Sequence, residues 1–428
     1  VPTRQIYAGF ATLVSIIAVV VAVLSTGSSR AAAPPSRRLP ARPSGHRLPV
    51  SASAPAVTAT NTLGLAMLAR LNPGANAVFS PFSVETAMAM VDQGAGIPAA
   101  QQLDRALGGA SSPAALATAN HALDASLYDA VTGHGGGGPT LNDANGIWLQ
   151  TGATLQDPFS QTLSADFGAE PQQVDFRDDP SGAIASINRW VSDHTNGLIP
   201  SLADSSSVSA ATELFLANAV YLHADWADPF DPNRTAPAAF RTTGGSVQTP
   251  FMTNVAPDPY AHTSRYTAVA LDYAHSSLQY VAIMPPAGQI TGLEKWLSVS
   301  RLSTLMSTLR RTSLQLDMPK YSLSLDTTLN PFLEGLGMTD IFGANSLTKM
   351  VIGQPLQVSD VVHDAVLKVA ERGTIAAAAT GVGITTSAVA ADPVVVDLNH
   401  PFLVIIRDTQ TGAMLFGARV MNPATAGS

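Results

Sequence analysis

The sequence predicts an α+β fold, a single large domain in which helices and extensive sheets mix without regular alternation. Nearly continuous apolar runs of strand length recur ("ATELFLANAVYL", "LQYVAIMPP", "HPFLVIIRD"), the pattern of strands buried on both faces. Other stretches ("NTLGLAMLARL", "AIASINRWVSDHT") space their apolar residues at helical intervals. The two patterns do not alternate as a doubly wound fold requires. From Asn61 to Pro423 no Pro/Ser-rich break and no internal repeat divides the chain. One domain is therefore expected, although 428 residues alone would suggest two or three.

Composition narrows the function classes. With 46% hydrophobic and 13% charged residues, the chain can bury a large core. A net charge of −8 and the lack of any Lys/Arg run in the body argue against a nucleic-acid partner. There is no cysteine, which excludes disulfides, thiol catalysis and thiolate metal sites.

Taken in order, the chain opens with an apolar stretch, Ile6 to Leu24, preceded by Arg4. Residues 1–26 read either as a secretory signal or as a membrane anchor tethering the protein through residues 6–24. Arg30, Arg37, Arg38, Arg42 and Arg47 follow it, where the positive-inside rule prefers few positives for an exported segment. A secreted or anchored domain outside the cytoplasm is nonetheless expected. Residues 27–60, rich in Pro, Ser, Ala and Arg, are expected to form an extended linker, with the folded domain spanning 61–428. A helix starts that domain at "NTLGLAMLARL", and "GHGGGGP" (133–139) reads as a surface loop. The later helix "AIASINRWVSDHT" precedes the strand "ATELFLANAVYL", and "LQYVAIMPP", "SLQLDMPKYSLSL" and "HPFLVIIRD" supply further strands.

Motifs with an enzymatic look lack their partners. "HGGGG" (134–138) resembles an esterase oxyanion loop, but no G-x-S-x-G elbow accompanies it. "GVGITT" lacks the third glycine of a dinucleotide fingerprint, and neither a P-loop nor H-E-x-x-H occurs. The nine histidines are scattered without metal-ligand spacing, and no cofactor motif is visible. A Ser-His-Asp set drawn from distant positions stays open as an alternative.

One stretch is locally undecided. "ERGTIAAAAT" (371–380) carries four alanines, which favour helix, whereas Thr380 to Val389 favours strand or loop. After Arg372 the next ionisable side chain is Asp392. Laid out as a strand, one face reads Thr374, Ala376, Ala378, Thr380, Val382, Ile384, Thr386. The other reads Gly373, Ile375, Ala377, Ala379, Gly381, Gly383, Thr385. Neither face holds a charge, an aromatic ring or a proline, so the segment could lie inside a sheet.

In its context, "AVLKVAERGTIAAAAT", the stretch resembles the hinge of the serpins, the serine-protease-inhibitor family. Other family-like passages occur in family order: "NAVFSPFSVETAMAMVDQGAG" (76–96), "NAVYLHADWADPFDP" (218–232), "LQLDMPKYSL" (314–323), "LEGLGMTDIF" (333–342) and the closing "NHPFLVIIRDTQTGAMLFGARVMNP". The resemblance implies three sheets, eight or nine helices and an exposed loop joining the hinge to "VVVDL" (394–398). It implies a monomer that is not an enzyme but bait. A serine protease cuts the loop, is held as an acyl-enzyme, and the freed hinge inserts as a central strand. The matching hinge residues are Glu371, Arg372, Gly373, Thr374, Ala376, Ala377, Ala378 and Ala379. A polar gate, the shutter, maps onto Ser80, Ser83, Asn218 and His363.

Counting forward from Glu371 puts the scissile bond at Ser387–Ala388, while counting back from "NHPF" puts it after Ala390. The forward count is preferred, because three extra residues would add roughly 10 Å of slack to the pull on the protease. Thr386 to Ala390 are small and uncharged, which implies elastase-like or subtilisin-like targets. "LRRT" (309–312) is too short for a glycosaminoglycan site. The competing reading is a non-inhibitory binding or chaperone protein on the same fold.

Overall fold

The computed structural model describes residues 50–425 except 110–111, 133–137, 196, 198, 354–355 and 375–391. The apolar segment 6–24, most of the linker, Ala376 to Ala379 and the Ser387–Ala388 bond therefore lie outside the described residues. The helices are α1 (Ala54–Arg70), α2 (Pro81–Gly94), α3 (Ile97–Ala106), α4 (Pro113–Thr132) and α5 (Asp157–Asp166). They continue with α6 (Pro180–His194), α7 (Ile290–Trp296), α8 (Val299–Thr308) and α9 (Asn330–Gly335).

Helix α1 begins at Ala54, seven residues before the expected start of the folded domain at 61. The prolines of this stretch read as linker, yet Pro55 sits in the first turn of α1, where a missing N–H costs nothing. Proline opens α2 and α6 in the same way. There Ser80 and Asp179 act as N-caps, accepting from Ser83 N–H and Gly182 N–H.

Among the described residues the strands divide into two hydrogen-bonded sheets. In chain order they begin β1 (Ala77–Phe79), β2 (Thr140–Gln150), β3 (Gln172–Val174), β4 (Leu214–Asp225) and β5 (Ala236–Thr242). The next five are β6 (Gly245–His262), β7 (Thr267–Asp272), β8 (Leu278–Met284), β9 (Arg310–Pro319) and β10 (Tyr321–Thr328). The last are β11 (Asp360–Ala370), β12 (Gly373–Thr374), β13 (Val394–Asp397), β14 (Phe402–Asp408) and β15 (Met414–Val420). One sheet runs β1-β15-β14-β8-β7-β6-β9-β13, with β5 added on β6; the other runs β10-β11-β12-β4-β2-β3. The third expected sheet is continuous with the larger one. The long β6 pairs with β5 at one end and β7 at the other, and so belongs to both halves.

The main core lies between the sheets and under α1 and α2. Arg419 of β15 is buried there. It pairs with Glu294 of α7 at 2.5 Å and donates to the carbonyls of Leu68, Leu71, Asn72 and Ala75, satisfying the C-terminal end of α1. A second core covers the outer face of the six-stranded sheet. There α6 sets Ile187 and Val191 against Trp148, Phe215, Ala217 and Val362. The Trp148 ring lies over Gly146, where a Cβ would fall 2.2 Å from it.

Candidate functional site

The six-stranded sheet is split along its middle. At one end β4 and β11 pair directly and in parallel, Phe215 to Val220 against Asp360 to Ala365. At the other end β12 lies between them, with Gly373 and Thr374 antiparallel to Ala370 and Val369 on one side and to Asp225 and Ala224 on the other. Between the two zones, no described residue pairs Val366–Lys368 of β11 with Tyr221–His223 of β4. The sheet is held shut at one end and opened by two residues at the other.

The closed end is locked by a buried polar cluster that brings together Ser80, Ser83, Asn218 and His363. Asn218 and His363 stand directly opposite in the β4–β11 register. The protons can be assigned from one unambiguous donor. Ser80 N–H donates to His363 Nε2 at 3.1 Å, so Nε2 is unprotonated and Nδ1 carries the hydrogen. His363 Nδ1–H then donates to Asn218 Oδ1, which turns the Asn218 amide nitrogen toward Ser83 Oγ and Asn145 Oδ1. Asn145 of β2 completes the lock and had no signal in the sequence. Its assignment depends on lying opposite Asn218 across β2 and β4.

Burial holds His363 neutral, lowering its pKa to about 3, with the Asn218 hydrogen bond opposing only in part. The unfolded chain takes up this proton near pH 6.5 and the folded one does not until near 3. His363 therefore contributes stability that is present above pH 6.5 and lost as the pH falls toward 3, by roughly 4–5 kcal/mol in all. Burial also raises Asp92, Asp258 and Asp364 to about 7, and Asp326 opposite Asp364 adds to that rise; these acids stabilise the fold as the pH falls. His363→Gln cannot titrate, so the expected result is a stability gap between wild type and variant that narrows by several kcal/mol from pH 7 to 4. Parallel pH curves for the two proteins would count against a neutral buried imidazole.

The open end is held by a clamp. The turn after β4 grips the residues leading into β12: Trp226 N–H donates to Arg372 O at 2.8 Å and Phe230 N–H to Glu371 O at 2.9 Å. The Trp226 indole N–H donates to Ala370 O at 2.9 Å. Burial alone would raise the Glu371 carboxyl, but hydrogen bonds from Lys320, its own backbone N–H and Thr235, with the charge of Lys320, outweigh it and hold it below the usual range. Lys320 also forms the ion pair, at 2.8 Å, while Arg372 lies 3.9 Å from Asp225.

Gly373 has no room for a side chain, since a Cβ would fall 2.0 Å from Ala224 O. Thr374 is fully buried, and its hydroxyl meets that of Tyr273, on whose ring Trp226 stacks at 4.7 Å. In the sequence, Trp226, Phe230 and Lys320 stand only inside the family-like passages 218–232 and 314–323, and Tyr273 and Thr235 lie outside them. Nothing local marks them as neighbours of residues 370–374. Ala376 to Ala379 and Ser387–Ala388 lie outside the described residues. Among the described residues no cluster of His, Asp or Glu could hold a metal ion, and no helix is long and apolar enough to cross a membrane.

Comparison with known proteins gives a consistent set of matches. A family model described as "Serpin (serine protease inhibitor)" matches residues 58–423. A serpin-like protein of Thermococcus kodakarensis is 32% identical over 373 residues, covering 86% of each chain. Serpin-Z2B of Triticum aestivum is 32% identical over 366 residues, covering 81% of this chain and 90% of its own. Among solved structures, human glycosylated kallistatin superposes with a TM-score of 0.77 at 26% identity, covering 88% of this chain and 100% of the other.

Proposed function

The chain belongs to the serpin family, whose members are generally protease inhibitors rather than catalysts, and on that premise we propose that it is a suicide-substrate inhibitor of serine proteases acting outside the cytoplasm. The observation that carries this reading is β12, a two-residue strand already seated between β4 and β11 and leading into a charge-free alternating segment. Continuing its register would fill the split residue by residue. Inward positions would then fall to Ala376, Ala378, Thr380, Val382, Ile384 and Thr386. Thr380 would then stand between Asn218 and His363, where its hydroxyl can replace the hydrogen bond they lose on parting. On the other face Gly381 would lie beside Ala217 and Val362, and Gly383 beside Phe215, under the α6 cover that leaves little side-chain volume. That is a physical reason for glycine at both positions.

The covalent step uses the protease's own machinery. The protease serine Oγ attacks the Ser387 carbonyl carbon, the bond to the Ala388 nitrogen breaks, and the serine proton passes through the protease's base to that leaving amine. Insertion then drags the ester-linked protease away before water completes hydrolysis. A non-inhibitory binding protein on this fold would be cut without inserting.

The test is to mix the protein with elastase-like, subtilisin-like and trypsin-like proteases. A denaturant-resistant complex is expected with the first two, and mass spectrometry should find a released fragment Ala388 to Ser428. A fragment beginning at Ala391 would move the bond to the alternative count, and efficient trapping of trypsin would overturn the specificity.

A further inference from the structure

A cleft of about 350 Å³ opens between the end of α1, the end of β10 and α9. Arg70 and Leu71 form one wall, Thr327 and Thr328 a second, and Phe332 and Gly335 the third. Leu71 is buried and Phe332 half-buried against the main core, so these two offer apolar surface. The polar half is the Arg70 guanidinium with the two threonine hydroxyls. No carboxylate lines the cleft, and none pairs with Arg70 among the described residues. A cation at a helix C-terminus is ordinary by itself. This one is fixed in place: Arg70 Nη1 donates to Gly335 O at 2.9 Å, which holds the guanidinium across the cleft from α1 to α9. Its remaining N–H groups have no acceptor among the described residues. Gly335 keeps the space open. A Cβ there would meet nothing within 4 Å, and its φ is not left-handed, so the backbone makes no demand for glycine.

We propose that this cleft binds a small monocarboxylate with an aromatic body, its carboxylate on Arg70 and its ring on Phe332 and Leu71. A guanidinium fork matches a carboxylate in shape as well as charge, and a threonine hydroxyl can donate to the same oxygens. The volume suits a body of one or two rings, which gains by contact with an aromatic side chain. The cleft also borders the gate. Thr327 stands opposite His363 in the β10–β11 register. On the other side α1 packs on α2 where Gly64 meets Pro81, and Ser83 of α2 bonds Asn218 of β4. A ligand held by both Arg70 and Thr327 thus ties the β11 side of the split to the β4 side. On the inhibitory reading, which this consequence alone rests on, an occupied cleft slows the parting of the two strands.

Binding is measured on the intact protein without any protease, so it fails separately from the inhibitory reading. The probe is naphthylacetate, followed by calorimetry and ligand-detected NMR, with naphthylacetamide as its uncharged counterpart. Wild type should bind the acid and bind the amide at least about tenfold more weakly. Arg70→Gln should lose a similar factor for the acid and little for the amide. Gly335→Leu fills the cleft and leaves Arg70 in place, so it should abolish binding while melting no lower than wild type. Inorganic phosphate, which lacks the apolar body, should not displace the acid at equal concentration. No binding to wild type, equal binding of acid and amide, displacement by phosphate, or undiminished binding by Gly335→Leu would overturn the proposal.

Discussion

On the proposed inhibitory mechanism, Thr374→Arg is expected to turn the protein from a trap into a substrate, cutting the yield of covalent protease complex at least about tenfold while the loop is still cleaved. Thr374 is fully buried between Val369 and Ala224, with its hydroxyl against that of Tyr273. A guanidinium there would be unpaired in an apolar setting, at a cost of several kcal/mol. The hinge would avoid that cost by staying out of the sheet. The rest of the loop would then lack a seated first residue from which to zip, and the acyl-enzyme would hydrolyse. Thr374→Val, which keeps shape and burial and loses only the contact with Tyr273, should retain most of the complex. Gel analysis of complex against cleaved product at fixed ratio reads both variants. Undiminished complex with Thr374→Arg would show that insertion at β12 is not the trapping step.

The second large effect is thermal. On the proposed mechanism, cutting the loop of the intact protein should raise its melting midpoint by roughly 10 °C or more, because the freed segment would complete the split sheet. Thr374 is already seated, and continuing its register would bury six further inward positions, from Ala376 to Thr386. Counted at roughly 1 kcal/mol for small residues and 1.5–3 for the larger apolar ones, they contribute on the order of 5 to 10 kcal/mol. Each new ladder hydrogen bond adds about 1 kcal/mol net. Opposing these is the parting of β4 from β11 where Asn218 and His363 now bond. Calorimetry on intact and loop-cleaved protein measures the difference directly. Coincident midpoints would mean that the sheet does not accept the strand.

Much of this was legible without coordinates. The strands β4, β8 and β14 were readable because a strand buried on both faces needs an unbroken apolar run, and such a run is a local property. The start of helix α1 is not legible in the sequence, because Pro55 in a Pro/Ser-rich context looks like linker until a helix is seen to begin there. The gate residues were named through family resemblance, not from their own surroundings. Ser80 and Ser83 lie far in sequence from Asn218 and His363, and a lone buried serine carries no signal of what it faces.

By itself the sequence determined an α+β fold class and a segment from Gly373 to Thr386 with nothing on either face to forbid burial. Both follow from local alternation and composition. Only the tertiary structure decided that β4 and β11 are closed at the Asn218–His363 end, opened by Gly373 and Thr374 at the other, and clamped there by the Trp226–Phe230 turn. Apart from the β11–β12 pairing, those contacts join residues more than a hundred positions apart. Their register is fixed by the packing of the whole sheet against its cores, which no window of sequence contains.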